Sequence, residues 1–526
     1  MTLSTLRYSV YSKPHRRHST AAMSMETLQA HELLACLLLA LATILLFKQL
    51  LAATSKRRAT SPSLPRPRGL PLIGNLHQLG AQPQDSLAAL AARHGAPLML
   101  LRLGSVPALV VSSADAMRAV FQPNDRALSG RPGTFAARTL CYGLQDIVFA
   151  APDGEFWRAA RRACLSELLG APRVRGFRGV REGEAAALVA GVTDVSSAGS
   201  PVNLSGKLME TSNKIVRRVV FGDDGEASIE TAAVLEETQR LLGAFFVADY
   251  MPRLGWMDAF RGLRRRLEKN FRELDALYER VIDEHLNKPG VPREEEDLVD
   301  VLLRLHGDPA HRSTFGSRDQ IKGILTCPLQ DMFIAGTDTS AAALEWTMTE
   351  LVRHPEVLAK AQHEVRSVVG DRDMVLESDL PRLQYLKLVI RESMRLHPPA
   401  PLLVPRETTE QIVVYGCEIP GRTRVLVNAK AIGVDPDAWG ADAARFVPER
   451  HEGAVDVADH KPWHHSFALV PFGAGRRSCP GVHFATAVVE LLLANLLFCF
   501  DWRAPRGEVD VEEGDGAQEE PPRACC

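Results

Sequence analysis

Apolar positions along the chain follow two patterns, one typical of helices and one typical of strands. Helical spacing predicts long amphipathic helices at 155–170, 259–287, 331–354, 355–369 and 482–500. Short apolar runs bounded by turn residues predict strands at 98–104 (LMLLRLG), 108–113 (ALVVSS) and 412–416 (IVVYG). Because helix predominates, we predict a mainly α fold with small β-sheets, of the α+β class.

The segment 33–47, LLACLLLALATILLF, contains no charged residue. With the apolar residues at 50–53 it approaches the ~20 residues that a membrane-spanning helix needs. Lys56, Arg57 and Arg58 follow, and basic residues prefer the cytosolic side of a span. We therefore expect 23–55 to be a single-pass membrane anchor with the following domain in the cytosol. A cleaved signal peptide is the alternative, but the basic flank and the missing small-residue cleavage pattern argue against it.

The segment 1–22 is rich in Ser and Thr and contains basic but no acidic residues, as transit peptides do. If translation began at Met23 or Met25, the segment before the anchor would instead carry Glu26 and Glu32, which suits a lumenal terminus. We expect 1–22 to be a spurious extension, with plastid import as the alternative.

Prolines dominate the stretch after the anchor, at positions 62, 65, 67 and 71. Proline fixes φ and pushes the residue before it towards extended conformations, so no regular helix is expected here. We interpret 56–75 as a stiff hinge that leads into a catalytic domain at 76–526. A flexible linker is the alternative, but such a linker would contain more Gly and Ser.

Composition argues against several classes of protein. The chain has 526 residues, 46% of them hydrophobic, and a formal net charge of −2, whereas nucleic-acid binding requires a basic excess or a basic stripe. The nine cysteines are scattered without a CxxC pair, which argues against zinc modules and disulfide scaffolds. We therefore expect no nucleic-acid partner and a reducing environment.

One cysteine lies in the glycine-rich stretch PFGAGRRSCPG at 471–481. A helix is predicted to begin just after Cys479, with Pro480 in its first turn. The helix N-terminus and the neighbouring Arg476 and Arg477 favour an ionised sulfur. Such a thiolate can serve as a catalytic nucleophile or as a metal ligand. No histidine lies in a recognisable cysteine-hydrolase context, so a ligand to haem iron is favoured.

The spacing of Phe472, Gly475, Arg477, Cys479 and Gly481 resembles the haem-binding signature of cytochrome P-450 monooxygenases. Further motifs of this family are matched in order by Trp157 and Arg161 (WxxxR), 335–340 (AGTDTS), Glu392 and Arg395 (ExxR), and 446–450 (FVPER). The resemblance covers residues 62–503, and LHPPAPLLVPRE at 396–407 is similar to the plant A-type (71-clan) branch. It implies a single large haem-binding domain.

The resemblance also implies a role for each motif. Asp338 and Thr339 would deliver protons during oxygen activation, and Cys479 would be the axial thiolate ligand of the haem iron. The implied haem-binding residues are Trp157, Arg161, Arg406, Phe472, Arg477 and Cys479, with the tryptophan and the arginines holding the propionates. The implied structural residues are Glu392, Arg395 and Arg450, which stabilise the core that supports haem.

The expected activity is insertion of one oxygen atom of O2 into a small hydrophobic plant secondary metabolite. Electrons would come from an NADPH-cytochrome P-450 reductase that docks on a basic face with Arg158, Arg162 and Arg476. Substrate contacts are expected from 135–148, from the stretch near Phe333 and from 402–404, which are mostly apolar. The implied location is the endoplasmic reticulum membrane.

Two stretches depart from the family pattern. Cys327 to Gln330 (CPLQ) looks inserted, and Pro328 would remove a helix hydrogen bond. A misjoined exon or a genuine bulge would produce this. The tail at 514–526, GDGAQEEPPRACC, cannot form the family's C-terminal hairpin, for which a shifted reading frame is simpler than prenylation.

These departures leave an alternative function open, a catalytically impaired haem-binding relic or a faulty gene model of the same fold. A haem-thiolate isomerase that rearranges hydroperoxides is the alternative enzymatic function. It would not need an acid and an alcohol side by side, so the pair Asp338 and Thr339 argues against it.

Overall fold

Helices make up most of the computed structural model, which describes residues 63–222, 229–287, 296–309, 316–325, 332–453 and 467–503, with the single positions 41, 43 and 292. Only the backbone is described at 229–232, 323–325 and 332–335. The chain divides into two compact units, Met1–Ser63 and Leu64–Cys526. The predicted extension, the CPLQ stretch, the tail and, apart from Leu41 and Thr43, the predicted anchor lie outside the described residues.

The described residues of the second unit include nineteen α-helices. In chain order they are α1 (Pro83–His94), α2 (Ala114–Asn124), α3 (Phe135–Leu140), α4 (Glu155–Ala163), α5 (Ala171–Gly176), α6 (Arg178–Ser197), α7 (Leu204–Phe221), α8 (Ile229–Gly243), α9 (Val247–Tyr250), α10 (Met257–Phe260), α11 (Leu263–Asn287), α12 (Leu298–Gly307), α13 (Arg318–Leu325), α14 (Met332–Arg353), α15 (Pro355–Val369), α16 (Gln384–Leu396), α17 (Ala429–Gly433), α18 (Pro436–Trp439) and α19 (Val482–Cys499). The predicted mainly α class is confirmed.

Three predicted helices agree with α14, α15 and α19 to within one residue at each end. Two others are divided. The helix predicted at 155–170 ends at Ala163 and continues as a π-helical turn over Cys164–Leu168. The helix predicted at 259–287 is broken between α10 and α11, where Gly262 adopts a φ of 71° that a right-handed helix cannot contain.

The strands are β1 (Leu98–Leu103), β2 (Val106–Val111), β3 (Arg406–Glu407), β4 (Ile412–Val414), β5 (Cys417–Ile419) and β6 (Arg424–Val427). One sheet has the order β1-β2-β6-β3, with β2 and β6 parallel and the other pairs antiparallel. β4 and β5 form a separate hairpin. The three predicted strands correspond to β1, β2 and β4.

The core is built around α14, which packs against α7, α16 and α19. α19 carries apolar residues on nearly every side, as a central helix requires. Among the described residues it is the one helix long and apolar enough to cross a bilayer, but 67% of it is buried inside the fold. We therefore assign α19 to the protein core.

The described end of the hinge, 63–75, contains no regular helix, as its prolines predict. The Leu100 N–H donates to the Pro65 carbonyl at 3.0 Å. Asn75 is buried, and its side chain accepts a hydrogen bond from the Arg102 N–H at 2.8 Å. These bonds hold this part of the hinge alongside β1.

Candidate functional site

The cysteine predicted as an iron ligand lies in a tight loop that precedes α19. The Cys479 N–H donates to the Phe472 carbonyl at 2.9 Å. Gly475 has a φ of 63°, and a Cβ at this position would collide with the Asp125 carboxylate. The same carboxylate accepts a hydrogen bond from the Arg476 N–H at 3.1 Å. The loop therefore holds a half-buried thiol in a fixed place next to the helix.

The helix after the cysteine begins later than predicted. Gly481 is its N-cap and Val482 its first residue, so Pro480 lies before the helix and not in its first turn. A Cβ on Gly481 would lie 3.8 Å from the Cys479 sulfur. The sulfur is thus close to the helix N-terminus, where the peptide dipoles favour negative charge.

α4 brings Trp157 and Arg161 against this loop. Arg161 donates to the Ser478 carbonyl at 2.8 Å. The guanidinium carbons of Arg477 and Arg161 lie 4.2 and 5.8 Å from the centroid of the Trp157 ring. The Trp157 indole N–H donates to the Ile147 carbonyl at 3.0 Å. The structure therefore places two of the predicted propionate-binding arginines beside the ring of Trp157.

Arg406 and Arg477 are buried and donate to backbone carbonyls. Arg477 donates to the Ser129 and Ile147 carbonyls, both at 2.8 Å, and Arg406 donates to the Ala474 carbonyl. Among the described residues, neither arginine forms an ion pair with a carboxylate. Two buried cations are thus held by neutral oxygen atoms.

Burial and mutual repulsion disfavour these positive charges. Burial lowers the pKa of Arg477 to about 9. The negative charge of Asp146 only partly offsets this effect, and the positive charges of Arg161 and Arg406 lower the pKa further. Burial likewise lowers the pKa of Arg406 to about 10, against the attraction of Asp125. Both side chains stay charged near neutral pH. The cluster therefore favours binding of an anionic group.

These residues fit a haem. Its two propionates are carboxylates, which guanidinium groups bind well, and a thiolate at a helix start is a suitable ligand for its iron. The indole N–H of Trp157 is bonded to the Ile147 carbonyl, so its predicted hydrogen bond to a propionate is not supported by this structure. Phe472 is half-buried, packs against the main hydrophobic core and accepts the Cys479 hydrogen bond. All six predicted haem-binding residues thus lie on or against the cysteine loop.

Asp338 and Thr339 lie next to each other on α14, and both are half-buried. The Asp338 carboxylate accepts a hydrogen bond from the side-chain amide of Gln239 on α8. Burial raises the pKa of Asp338, the Gln239 hydrogen bond lowers it, and the negative charge of Glu236 raises it further. The net raised pKa brings proton exchange by Asp338 closer to neutral pH, as proton delivery requires.

Glu392, Arg395 and Arg450 form the predicted structural cluster. Arg395 donates through Nε and Nη2 to the two Glu392 carboxylate oxygens at 2.7 Å each, and Arg450 donates to Oε1 at 2.9 Å. Burial raises the pKa of Glu392, but hydrogen bonds from Arg395 and His451 have a larger, opposite effect. The resulting pKa of Glu392 is about 2. Glu392 therefore stays ionised inside the core.

His451 completes this cluster and was not predicted from the sequence. Its Nε2 lies 2.8 Å from Glu392 Oε2, and its ring packs edge-on against Trp439 with centroids 5.6 Å apart. Burial lowers the pKa of His451, so the neutral ring donates its N–H to the carboxylate. His451 directly follows Arg450 on the same short 3-10 helix, and this adjacency in sequence could have predicted its place in the cluster.

Two of the segments predicted to contact substrate contain unusual backbone. Tyr142, Leu144 and Leu403 have φ angles of 49°, 68° and 51°. Residues with a Cβ rarely adopt such angles, and they concentrate at binding sites when they occur. The Phe333 side chain lies outside the described residues.

Comparison with known proteins identifies relatives over most of the chain. The family model described as Cytochrome P450 matches residues 64–523. Cytochrome P450 71A9 of Glycine max is 48% identical over 90% of this chain and 94% of its own. Strychnine-11-hydroxylase of Strychnos nux-vomica is 44% identical, covering 91% and 93%. Tryptamine 5-hydroxylase of Oryza sativa subsp. japonica is 42% identical, covering 92% of each.

The fold also matches solved structures. A zebra fish cytochrome P450 with progesterone superimposes with a TM-score of 0.70 and is 26% identical. The match covers 84% of this chain and 99% of the zebra fish chain.

Proposed function

The chain belongs to the cytochrome P450 family, and from this we propose that it inserts one oxygen atom of O2 into a small hydrophobic plant secondary metabolite, with electrons from NADPH-cytochrome P450 reductase. It is a monooxygenase whose haem iron is bound by a cysteine thiolate. When bound, this haem supplies the oxygen chemistry. The observation that carries the proposal is the cluster of the buried Arg406 and Arg477 with the half-buried Arg161 beside the Cys479 loop.

In the proposed mechanism each residue has one task. Cys479 would bind the iron, and the arginine cluster, packed against the Trp157 ring, would hold the propionates. Asp338, whose burial raises its pKa, takes up protons and passes them on next to the Thr339 hydroxyl. The Glu392 cluster keeps the surrounding core rigid and touches no substrate.

The proposed substrate class rests on two supports. Two relatives are named for hydroxylation of strychnine and of tryptamine. In addition, the apolar segments 135–148 and 402–404 carry the unusual backbone described above. A catalytically impaired relic is not favoured, because relatives named as hydroxylases match nearly the whole chain.

The proposed reductase contact is supported by charge at the surface. Arg158, Arg162 and Arg476 are exposed, and Arg476 shares the loop with Cys479. An acidic flavoprotein surface would be attracted there and would be guided towards the iron ligand.

Reconstitution of the full-length chain with the reductase tests the proposed function. In vesicles supplied with NADPH and 18O2, we expect one 18O atom in a product from a panel of indoles, oximes and terpenoids, and no product without reductase. Asp338→Asn should lower kcat by about 10²-fold, the usual contribution of a general acid, while the thiolate-type band of the reduced carbon-monoxide complex persists.

Asp115→Asn is the matched control, because Asp115 lies at the surface in an exposed pair with Arg118. It should leave kcat unchanged. If the parent shows a thiolate-type band but oxidises no NADPH with reductase present, the monooxygenase proposal is wrong and the relic is supported.

We also propose that the chain is anchored in the endoplasmic reticulum membrane by 23–55. An exposed apolar surface supports contact with the bilayer, since Leu72 and Phe260 are 76% and 84% exposed, with Leu70, Phe245 and Trp256 nearby in sequence. Their two loops meet at the turn between β1 and β2: the Gly104 N–H donates to the Ile73 carbonyl and the Ser105 N–H donates to the Tyr250 carbonyl. Large exposed apolar patches are typical of membrane contact.

A nitroxide label attached at position 260 of the full chain in vesicles should report lipid. We expect collisions with O2, which concentrates in lipid, to exceed collisions with a water-soluble nickel complex by severalfold. Leu286 on α11 is the matched control, because it is another exposed apolar residue, 56% accessible. Equal accessibilities at positions 260 and 286 would show that the apolar surface faces water.

A further inference from the structure

Gln239 connects α8 to the proposed proton carrier. Its side-chain amide donates to the Oδ2 atom of Asp338 on α14, and both side chains are half-buried. Among the described residues, no other side chain hydrogen-bonds the Asp338 carboxylate. The contact joins residues 99 positions apart, so it exists only because α8 packs over α14.

The chemistry of an amide suits a group that must both gain and lose a proton. An amide N–H donates to a carboxyl oxygen whether or not the carboxyl group is ionised. A lysine or arginine at this place would hold the carboxylate in its charged form and would oppose protonation. Gln239 can therefore fix one oxygen of Asp338 throughout proton transfer without preventing that transfer.

The position of α8 is set from its other side, by α11. The Thr238 hydroxyl donates to Asn270 Oδ1 at 2.8 Å, and Asn270 Nδ2 donates to the Val234 carbonyl at 3.0 Å. Thr238 and Asn270 are both buried, so these bonds hold the two helices together. Gln239 directly follows Thr238 on α8. The position of α8 against α11 therefore also determines where the Gln239 amide meets Asp338 on α14.

We propose that Gln239 is a positioning residue for proton delivery. Its amide holds Asp338 Oδ2, leaves the other carboxyl oxygen to exchange the proton, and makes delivery depend on how α8 lies over α14. The proposal rests on the role of Asp338 proposed above. Movement of α8 away from α14 would release the carboxyl group and slow proton transfer.

Kinetics of Gln239→Leu in the reconstituted full-length enzyme test the proposal. With the panel compound that the parent oxidises fastest, we expect kcat to fall about 10-fold, a part of the usual general-acid contribution. The share of NADPH electrons recovered in product should fall, and the solvent isotope effect on kcat should rise. KM and the thiolate-type band should stay unchanged.

A double variant separates an effect through Asp338 from an effect on substrate. In the Asp338→Asn background, Gln239→Leu should cause no further loss of kcat. If it causes the same fold-change as in the parent, or if KM changes while kcat does not, the proposal is overturned. Glu210→Gln on α7 is the matched control, since it removes only an exposed pair with Lys214 on the same helix and should leave kcat unchanged.

Hydrogen exchange supplies a readout that does not depend on turnover. In the haem-loaded protein without reductase, Gln239→Leu and Asp338→Ala should each raise backbone exchange over 233–243, and the double variant should raise it no further. Unchanged exchange in both single variants would show that the contact does not hold α8. If the parent has no turnover, the proposed function fails, whereas the exchange result still decides whether this contact exists.

Discussion

Cys479→Ser is expected to reduce turnover to background and to remove the thiolate-type band of the reduced carbon-monoxide complex. Serine preserves the size of the side chain and the hydrogen bond from the residue 479 N–H to the Phe472 carbonyl. Its hydroxyl, however, does not ionise near neutral pH and donates far less electron density to iron than a thiolate does. Absorption spectra and product formation with reductase measure both losses.

The matched control for this prediction is Cys499→Ser at the opposite end of α19. Cys499 is also half-buried, but burial raises the pKa of its thiol, and the positive charge of Arg366 only partly offsets this effect. This variant should keep the band and the turnover of the parent. The interpretation of Cys479 as the iron ligand is wrong if Cys479→Ser retains the parent's spectrum and activity.

Local sequence patterns predict three long helices and three strands well, and they predict poorly the features that depend on distant contacts or on a single backbone angle. α14, α15 and α19 each contain many turns of apolar periodicity, which define their ends to within one residue. Strand β3 has only two residues, and its pairing with β6 depends on the chain folding back from a distant position. The break before α11 depends on one glycine with a positive φ, a property that periodicity does not report.

In the candidate site, too, residues within short motifs are predicted from the sequence, whereas contacts between distant residues are not. Motif spacing identifies Cys479, Asp338 and the Glu392–Arg395 pair, because each lies in a short stretch with a recognisable pattern. Gln239 is absent from the prediction because it lies 99 positions from Asp338, and only helix packing brings the two together. Spacing likewise could not show that the Trp157 indole N–H donates to a backbone carbonyl.

Glu392→Gln is expected to lower the stability of the haem-bound protein by about 3–5 kcal/mol, because it leaves Arg395 buried without its anion and removes one of the two carboxylate partners of Arg450. The pKa of Glu392 is lowered from 4.5 to about 2, which corresponds to roughly 3 kcal/mol and agrees with this loss of stability. Loss of haem absorption during denaturant unfolding measures the effect. Glu210→Gln is the control, since its pair with Lys214 on α7 is exposed and contributes about 0–1 kcal/mol.

At low pH the difference in unfolding stability between the parent and Glu392→Gln should disappear. The folded pKa of Glu392 lies below its unfolded value of 4.5, so its contribution is present above that pH and is lost as the pH falls from 4.5 towards 2. Burial also lowers the pKa of His451 from 6.5, so its protonation destabilises both proteins below that pH. Both stability curves should therefore fall below pH 6.5, and they should converge only below 4.5. A constant gap down to pH 2 would contradict the assignment of Glu392 as the buried anion.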